Sequence, residues 1–277
     1  MKNQISVVIC NKNSLEYLKK SVPAIKKSKI KELIVVDGCS TDGSLNYLKK
    51  QNIKIISDKG RGLSYSRGLG IKNSKGKYVV VAGPDDIFKK NFFETLIKKF
   101  EKSEFDAATI LIRIKKRITY WDECLNFWFT YIRKSGPAKS IGTPTLYKKN
   151  LFKKVSYKIT PLVCDDTYIS EQLIRKKFKL GVLNLVIDQI NNNKFKDFYR
   201  KFYDYGKSDC EYYLLNINKF NFFEKVNTVF HPIRHFFKFF FLILFSFKIK
   251  FLPFVFILTF IRYKGLIMHF YKKSKRN

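Results

Sequence analysis

Acidic residues are scarce in this chain, with 22 Asp+Glu against 55 Lys+Arg and a formal charge of +33 over 277 residues. Two adjacent aspartate pairs therefore stand out: Asp85-Asp86 in VVVAGPDDIF (79–88) and Asp165-Asp166 in CDDTYISEQL (164–173). Neighbouring carboxylates repel each other unless a cation or a hydrogen-bond donor lies between them. A hard divalent ion shared with diphosphate oxygens would account for the first pair, with an Asx turn or helix cap as the alternative. The second pair either caps the helix that follows it or supplies a general base. Asn11, Asp37 and Asp58 each end or follow a short apolar run, so they belong to the same set of polar groups at strand ends.

The elements that must position these groups are readable over residues 1 to about 100. ISVVIC (5–10), KELIVVDG (31–38), IKIISD (53–58) and KYVVVAG (77–83) are β-branched runs. Between and after them lie segments of helical periodicity at 14–28, 40–51, 62–76 and 89–103. Alternation on this scale predicts βαβ units in a mostly parallel sheet, whose ligands bind beyond the carboxyl ends of the strands. Farther on, AATILIRIKKRITYW reads as a strand and its return, 139–155 as loop, strand and short helix, and 164–178 as a helix starting just after the acidic pair. KLGVLNLVI (179–187) is a further strand, and 196–219 is helical and rich in tyrosine.

Residues 220–277 change character: one acid, Glu224, and more than half of the 28 phenylalanines. FFKFFFLILFSF (236–247) and FLPFVFILTFI (251–261) flank Lys248-Ile249-Lys250, and neither block reaches the roughly 18–20 residues of a simple span. Three readings stand: interfacial half-helices with snorkelling lysines, one interrupted tilted span, or ordinary core helices. The Phe density and the basic end YKKSKRN predict contact with membrane lipids through 230–277.

The bulk numbers exclude several classes. The bias to Lys over Arg, with abundant Ile, Asn, Phe and Tyr, is that of an AT-rich genome. Dispersed lysines read as solvated faces, so no nucleic-acid partner is expected. Five cysteines without a CxxC motif fit a reducing compartment, not a disulfide frame or zinc site. MKNQISVVIC enters a strand directly, and no signal peptide is expected there. The three histidines (231, 235 and 269) lie in the tail, away from both acidic pairs.

ISVVICNKNSLEYLKKSVPAI, LIVVDGCSTDGS, GLSYSRGLGIKNSKGKYVVVAGPDD and CDDTYISEQLIRKKFKLG follow one another in an order and at spacings that resemble glycosyltransferase family 2, the inverting enzymes of the GT-A fold. The likeness covers roughly residues 4–190. It implies a Rossmann-like α/β domain, set at residues 1–219; composition alone adds a membrane-associated helical tail, 220–277. The likeness further implies a nucleotide pocket lined by Asn11 and Asp37, an arginine, Arg67, near nucleotide or diphosphate, and Asp85 near ribose or metal. Asp86 would be the ligand of Mg²⁺ or Mn²⁺, and Asp166 the catalytic base with Asp165 as its substitute. Two departures from the family pattern are Gly38, where many members carry a second Asp, and Gly83, where the metal motif usually begins with Asp.

The expected activity is transfer of a sugar, with inversion, from a nucleotide-diphosphate sugar to a hydroxyl. The composition of the tail points to a lipid-linked glycan as acceptor, at the cytoplasmic face of the membrane, in envelope glycan synthesis. Rival expectations are a polyprenyl-phosphate sugar synthase and a non-catalytic binder of nucleotide-sugar or membrane surface that keeps the fold.

Overall fold

The computed structural model describes residues 4–155, 157, 165–190 and 194–275. These form two compact units, one of residues 4–117, 125–157 and 165–190, the other of 118–124 and 194–275.

In the first unit, strands β1 (Ile5–Asn11), β2 (Glu32–Asp37), β3 (Lys54–Ser57) and β4 (Tyr78–Ala82) alternate with helices α1 (Leu15–Lys26), α2 (Ser44–Lys50) and α3 (Leu63–Asn73). Then come β5 (Asp86–Ile87), α4 (Phe92–Glu101), β6 (Ala107–Ile114), α5 (Tyr120–Ile132, of which residues 120–124 group with the second unit), β7 (Gly136–Pro137) and β8 (Thr145–Lys148). A 3-10 turn (Lys149–Lys153), α6 (Asp165–Arg175) and β9 (Leu180–Gln189) complete it. The sheet order is β3-β2-β1-β4-β8-β6-β9-β5, with β7 also paired to β9. The first four strands are parallel, as the βαβ alternation requires. β8 runs antiparallel between β4 and β6, and β6 and β9 are parallel again.

Val8, Ile34, Val36, Val79 and Val81 turn one face of the sheet onto Ile71, Leu151, Ile169 and Leu173, all buried. Each is worth about 1.5–3 kcal/mol removed from water. α3 lies unusually close to β1: a Cβ at Gly70 would stand 2.2 Å from Val8 Cγ1. That approach holds Arg67, one helical turn earlier, against the sheet.

Two elements differ from expectation. The return after β6 is a helix, α5, because TYWDECLNFWF is aromatic enough to pass for a strand yet buries Cys124, Leu125, Phe127, Trp128 and Phe129 on a helical repeat. α6 begins at Asp165, so both acids sit in its first turn, where the helix dipole favours them. Cys164, at the head of the expected helix, lies outside the described residues.

The second unit holds α7 (Phe195–Asn216), α8 (Phe222–Val229), α9 (His231–Phe245), a 3-10 turn (Ile249–Phe251) and α10 (Leu252–Ser274). Asn221 and Glu224 form a reciprocal cap at the start of α8. α7, expected within the first domain, belongs with these helices: Phe198 and Phe202 pack on Phe254, and Arg262 pairs with Asp209. The second apolar block does not stop near residue 261. Its helix continues through YKGLIMHFYKKS, because no proline or glycine run breaks it. With the preceding turn, Ile249–Ser274 is long and apolar enough to cross a membrane.

Candidate active site

The expected residues gather at the carboxyl ends of the parallel strands. Asn11 ends β1, Asp37 ends β2, Asp58 follows β3, and Gly83-Pro84-Asp85 leads from β4 to Asp86.

Asp37 is buried and fully engaged. Its Oδ1 accepts from Asn11 Nδ2 at 2.7 Å and from the Ser40 hydroxyl at 2.6 Å, and its Oδ2 accepts from the Ser40 backbone N–H at 2.9 Å. Asn11 Oδ1, on the same pair, is buried without a partner. A buried unmade acceptor costs about 1–3 kcal/mol, so this atom is open to an incoming donor. A Cβ at Gly38 would lie 3.5 Å from Asp58 Oδ2. The buried Asp58 carboxylate, held by the Ser66 hydroxyl at 2.5 Å and the Gly60 N–H at 2.7 Å, thus borders the position of the family's second acid. An aspartate at Gly38 would face that charge.

The first acidic pair divides its work. Asp86 is 1 % exposed, and both its oxygens are occupied: Oδ2 by the Gly83 N–H at 2.8 Å, Oδ1 by Gln189 Nε2 at 3.0 Å. Burial, and then the charge of Asp85, push Asp86 up to about 8. Asp85 is half-buried, with its carboxylate folded over Gly83 so closely that a Cβ there would be 2.2 Å from Asp85 Oδ1. The absent first acid and the position of Asp85 are therefore one feature: any side chain at 83 displaces Asp85. A carboxylate whose neighbour raises its proton affinity in this way fits a divalent cation beside the pair. Among the described residues no cluster of three His, Cys, Asp or Glu forms, so diphosphate and water would supply the remaining ligands.

The second pair is bound to Arg67, 98 residues away in sequence. Arg67 Nη1 reaches Asp165 Oδ2 at 2.8 Å and Asp166 Oδ1 at 3.1 Å. Asp165 is sealed, its side chain 0 % exposed, and also accepts from the Tyr157 hydroxyl. The Asp166 side chain is 26 % exposed. Burial pushes Asp166 up to about 6, against the opposing pull of Arg67. The expected diphosphate arginine and the expected base are thus one ion-paired unit, with Asp166 as its open carboxylate.

Arg133 escaped the sequence reading. Its guanidinium donates to the Thr109 hydroxyl and the Ile110 carbonyl, each at 3.1 Å, and to the Thr143 carbonyl at 3.0 Å. A Cβ at Gly142 would meet Arg133 Nη2 at 3.1 Å and Asp166 Oδ2 at 3.3 Å, so guanidinium and carboxylate flank that glycine. The Arg133 charge acts on both Asp86 and Asp166, which makes it the cation shared by the two acidic sites. In RKSGPAKS nothing marks it among 55 basic residues.

Lys148 and Lys149 have structural partners. Lys148 pairs with Asp106 at 2.8 Å, and Lys149 caps the end of α3 through the Ile71 carbonyl and the Ser74 hydroxyl. A cavity of about 1010 Å³ runs along α3 beside these lysines, away from the strand-end acids, and meets the acid–arginine unit at Tyr157.

Comparison with known proteins bears on the fold and the family. A cholesterol galactosyltransferase of Borreliella burgdorferi is 28% identical over 209 residues, covering 66% of this chain and 58% of its own. A dolichyl N-acetyl-alpha-D-glucosaminyl phosphate 3-beta-D-2,3-diacetamido-2,3-dideoxy-beta-D-glucuronosyltransferase of Methanococcus voltae is 26% identical over 206 residues, covering 63% of this chain and 62% of its own. The chain therefore spans about three-fifths of the length of these two relatives. Among solved structures, the mannosyltransferase PcManGT of Pyrobaculum calidifontis, in complex with GDP-Man and Mn²⁺, superposes with a TM-score of 0.61 at 11% identity, covering 97% of this chain and 73% of its own. S. aureus TarS 1-349 with UDP-GlcNAc gives 0.53 at 16% identity, covering 83% and 70%. These likenesses establish the GT-A fold expected from the motifs. The model of glycosyl transferase family 2 matches residues 6–160, more than half of the chain and the whole run from β1 past β8, and the chain belongs to that family.

Proposed function

We propose that the chain is an inverting glycosyltransferase. It moves a sugar from a nucleotide-diphosphate sugar to a hydroxyl of a lipid-linked acceptor at the cytoplasmic face of the membrane, in envelope glycan synthesis. The observation that carries this reading is the inequality within the Arg67-bound pair. Asp165 is spent on Arg67 and Tyr157, whereas Asp166 keeps an open side chain and a proton affinity near 6.

A hydroxyl is a weak nucleophile, and a base serves best when its pKa lies near the working pH. Asp166 takes the acceptor proton as the acceptor oxygen bonds to the anomeric carbon. The bond from that carbon to the diphosphate oxygen breaks on the opposite face, and the nucleoside diphosphate leaves. Arg67 fixes the rotamer of Asp166 through α3, and Arg133 steadies it from the Gly142 side. Asn11 and Asp37 receive the nucleobase. Asp85 would hold Mg²⁺ or Mn²⁺, with Asp86 locked behind it. The ion, when bound, offsets charge on the departing diphosphate.

Support for a lipid-linked acceptor comes from the two curated relatives, whose names specify cholesterol and a dolichyl phosphate sugar, and from the phenylalanine-rich second unit. The reading is tested by following nucleoside diphosphate release from a panel of nucleotide-sugars with Mn²⁺ and a lipid extract. Turnover on one donor that is lost in Asp166→Asn supports it; equal turnover in parent and variant sinks it.

A further inference from the structure

We infer that the second unit seats the chain in the plane of a bilayer rich in anionic phospholipid, inserting the phenylalanines of the α9–α10 hairpin, and that α10 does not cross the membrane. This rests on the membrane association proposed above and specifies its form.

By length and composition α10 passes for a span. Its packing argues otherwise. α7 and α10 meet through two glycines: a Cβ at Gly206 would lie 1.9 Å from the Arg262 carbonyl oxygen, and one at Gly265 would lie 2.2 Å from the Tyr203 carbonyl oxygen. The two backbones touch, so α10 cannot be treated apart from α7. Arg262, near the middle of α10, is buried and bound to Asp209 of α7 through Nε at 2.5 Å and Nη2 at 2.8 Å. Farther along, buried Glu211 of α7 takes His269 at 2.6 Å and Lys273 at 3.2 Å. Crossing the bilayer alone would strip Arg262 of its partner at mid-membrane. Crossing with α7 would carry Lys196, Asp197, Arg200, Lys201, Asp204 and Lys207 into hydrocarbon. Both alternatives are strongly unfavourable.

The face turned away from α7 is apolar at the hairpin end. Phe237, Phe241 and Phe245 form a ladder of stacked rings along α9, and Phe256 and Phe260 are exposed on α10. At the turn, Phe245 is 83 % and Phe247 is 89 % exposed. An apolar patch of this kind marks a binding surface. Lys238 and Lys248 are interleaved with it and exposed, and Lys250, paired with Glu123, borders it at the turn. Face-to-face pairing with a second copy would bring these like charges together in a chain of charge +33. An anionic headgroup layer complements them while the rings sink to the acyl boundary.

The test uses the full chain and intact vesicles of phosphatidylcholine with phosphatidylglycerol, or of phosphatidylcholine alone. Binding is expected to the anionic vesicles, to weaken with salt, and to fall on the order of a hundredfold in Phe241→Ser/Phe245→Ser, whose sites are exposed. Sidedness is read with a membrane-impermeant maleimide on the exposed native Cys39 and on Ser274→Cys at the end of α10. Equal labelling of both from outside is expected. Protection of position 274 with Cys39 labelled overturns the in-plane seating alone and leaves membrane association standing. No vesicle binding, with self-association in its place, assigns the face to a second copy and overturns both.

Discussion

Replacing Asp86 by Asn tests the electrostatics of the strand-end pair without touching the rest of the site. Asp86 is enclosed, and burial together with Asp85 raises it from 3.8 to about 8. A carboxyl held more tightly protonated in the folded chain stabilises the fold fully below its ordinary value. That contribution is lost as pH rises toward 8, where the folded chain must also ionise. About four pH units at 1.36 kcal/mol each put the cost of the buried charge on the order of 5 kcal/mol at pH 8. Asparagine mimics the protonated form: its oxygen still accepts from the Gly83 N–H, and Gln189 can turn its carbonyl toward the new amide. In chelator, the melting temperatures of parent and Asp86→Asn should coincide near pH 4 and below and separate steadily from there to pH 8. The variant should then be the more stable by on the order of 10 °C, at about 2–4 °C per kcal/mol for a domain of this size. Mn²⁺ at pH 8 should raise the parent more than the variant, because the Asp86 charge adds to the pull of Asp85 on the ion without itself ligating it. Differential scanning fluorimetry across pH reads both effects. Parallel curves, or a variant less stable at pH 8, would refute the claim that Asp86 is a compressed, enclosed carboxylate.

Further outcomes follow from the same geometry. Asp166→Asn should lower kcat by a factor of roughly 10² to 10⁴, the usual worth of a general base. The parent's rate should fall as pH drops through about 6, where Asp166 takes up its proton. Arg67→Met leaves the enclosed Asp165 and the partly open Asp166 without their cation and should destabilise the fold by about 3–5 kcal/mol in urea unfolding, measured at pH 7.5. Gly83→Ala pushes the Asp85 carboxylate off its place, 2.2 Å from the new Cβ. The Mn²⁺ concentration giving half-maximal rate should then rise at least tenfold, with melting temperature nearly unchanged.

The parallel half of the sheet was legible because ISVVIC, ELIVVD and YVVVA carry both the burial and the β-branching that make a strand. Their carboxyl ends then located Asn11, Asp37 and the Asp85-Asp86 pair. α5 was not legible as a helix: Tyr120, Trp121, Phe127, Trp128 and Phe129 are strand-formers by preference, and burial overrides that preference here. Motif order brought Arg67 and Asp166 forward separately, but nothing local reveals a pair 99 residues apart. Arg133 was hidden for the opposite reason, since a basic chain offers dozens of similar arginines and lysines. The division between Asp85 and Asp86 also lay beyond sequence, because it depends on Gln189, brought across from β9 by pairing with β5.

The most direct measurement is single-turnover transfer by the full chain, in Mn²⁺ with its best nucleotide-sugar and a lipid acceptor, with the anomeric configuration of the product read by NMR. Parent and Asp166→Asn would be compared after both are shown by calorimetry to bind the donor. The account predicts an inverted product from the parent and donor binding without transfer from the variant. A retained configuration, or transfer by the variant at the parent's rate, would contradict it.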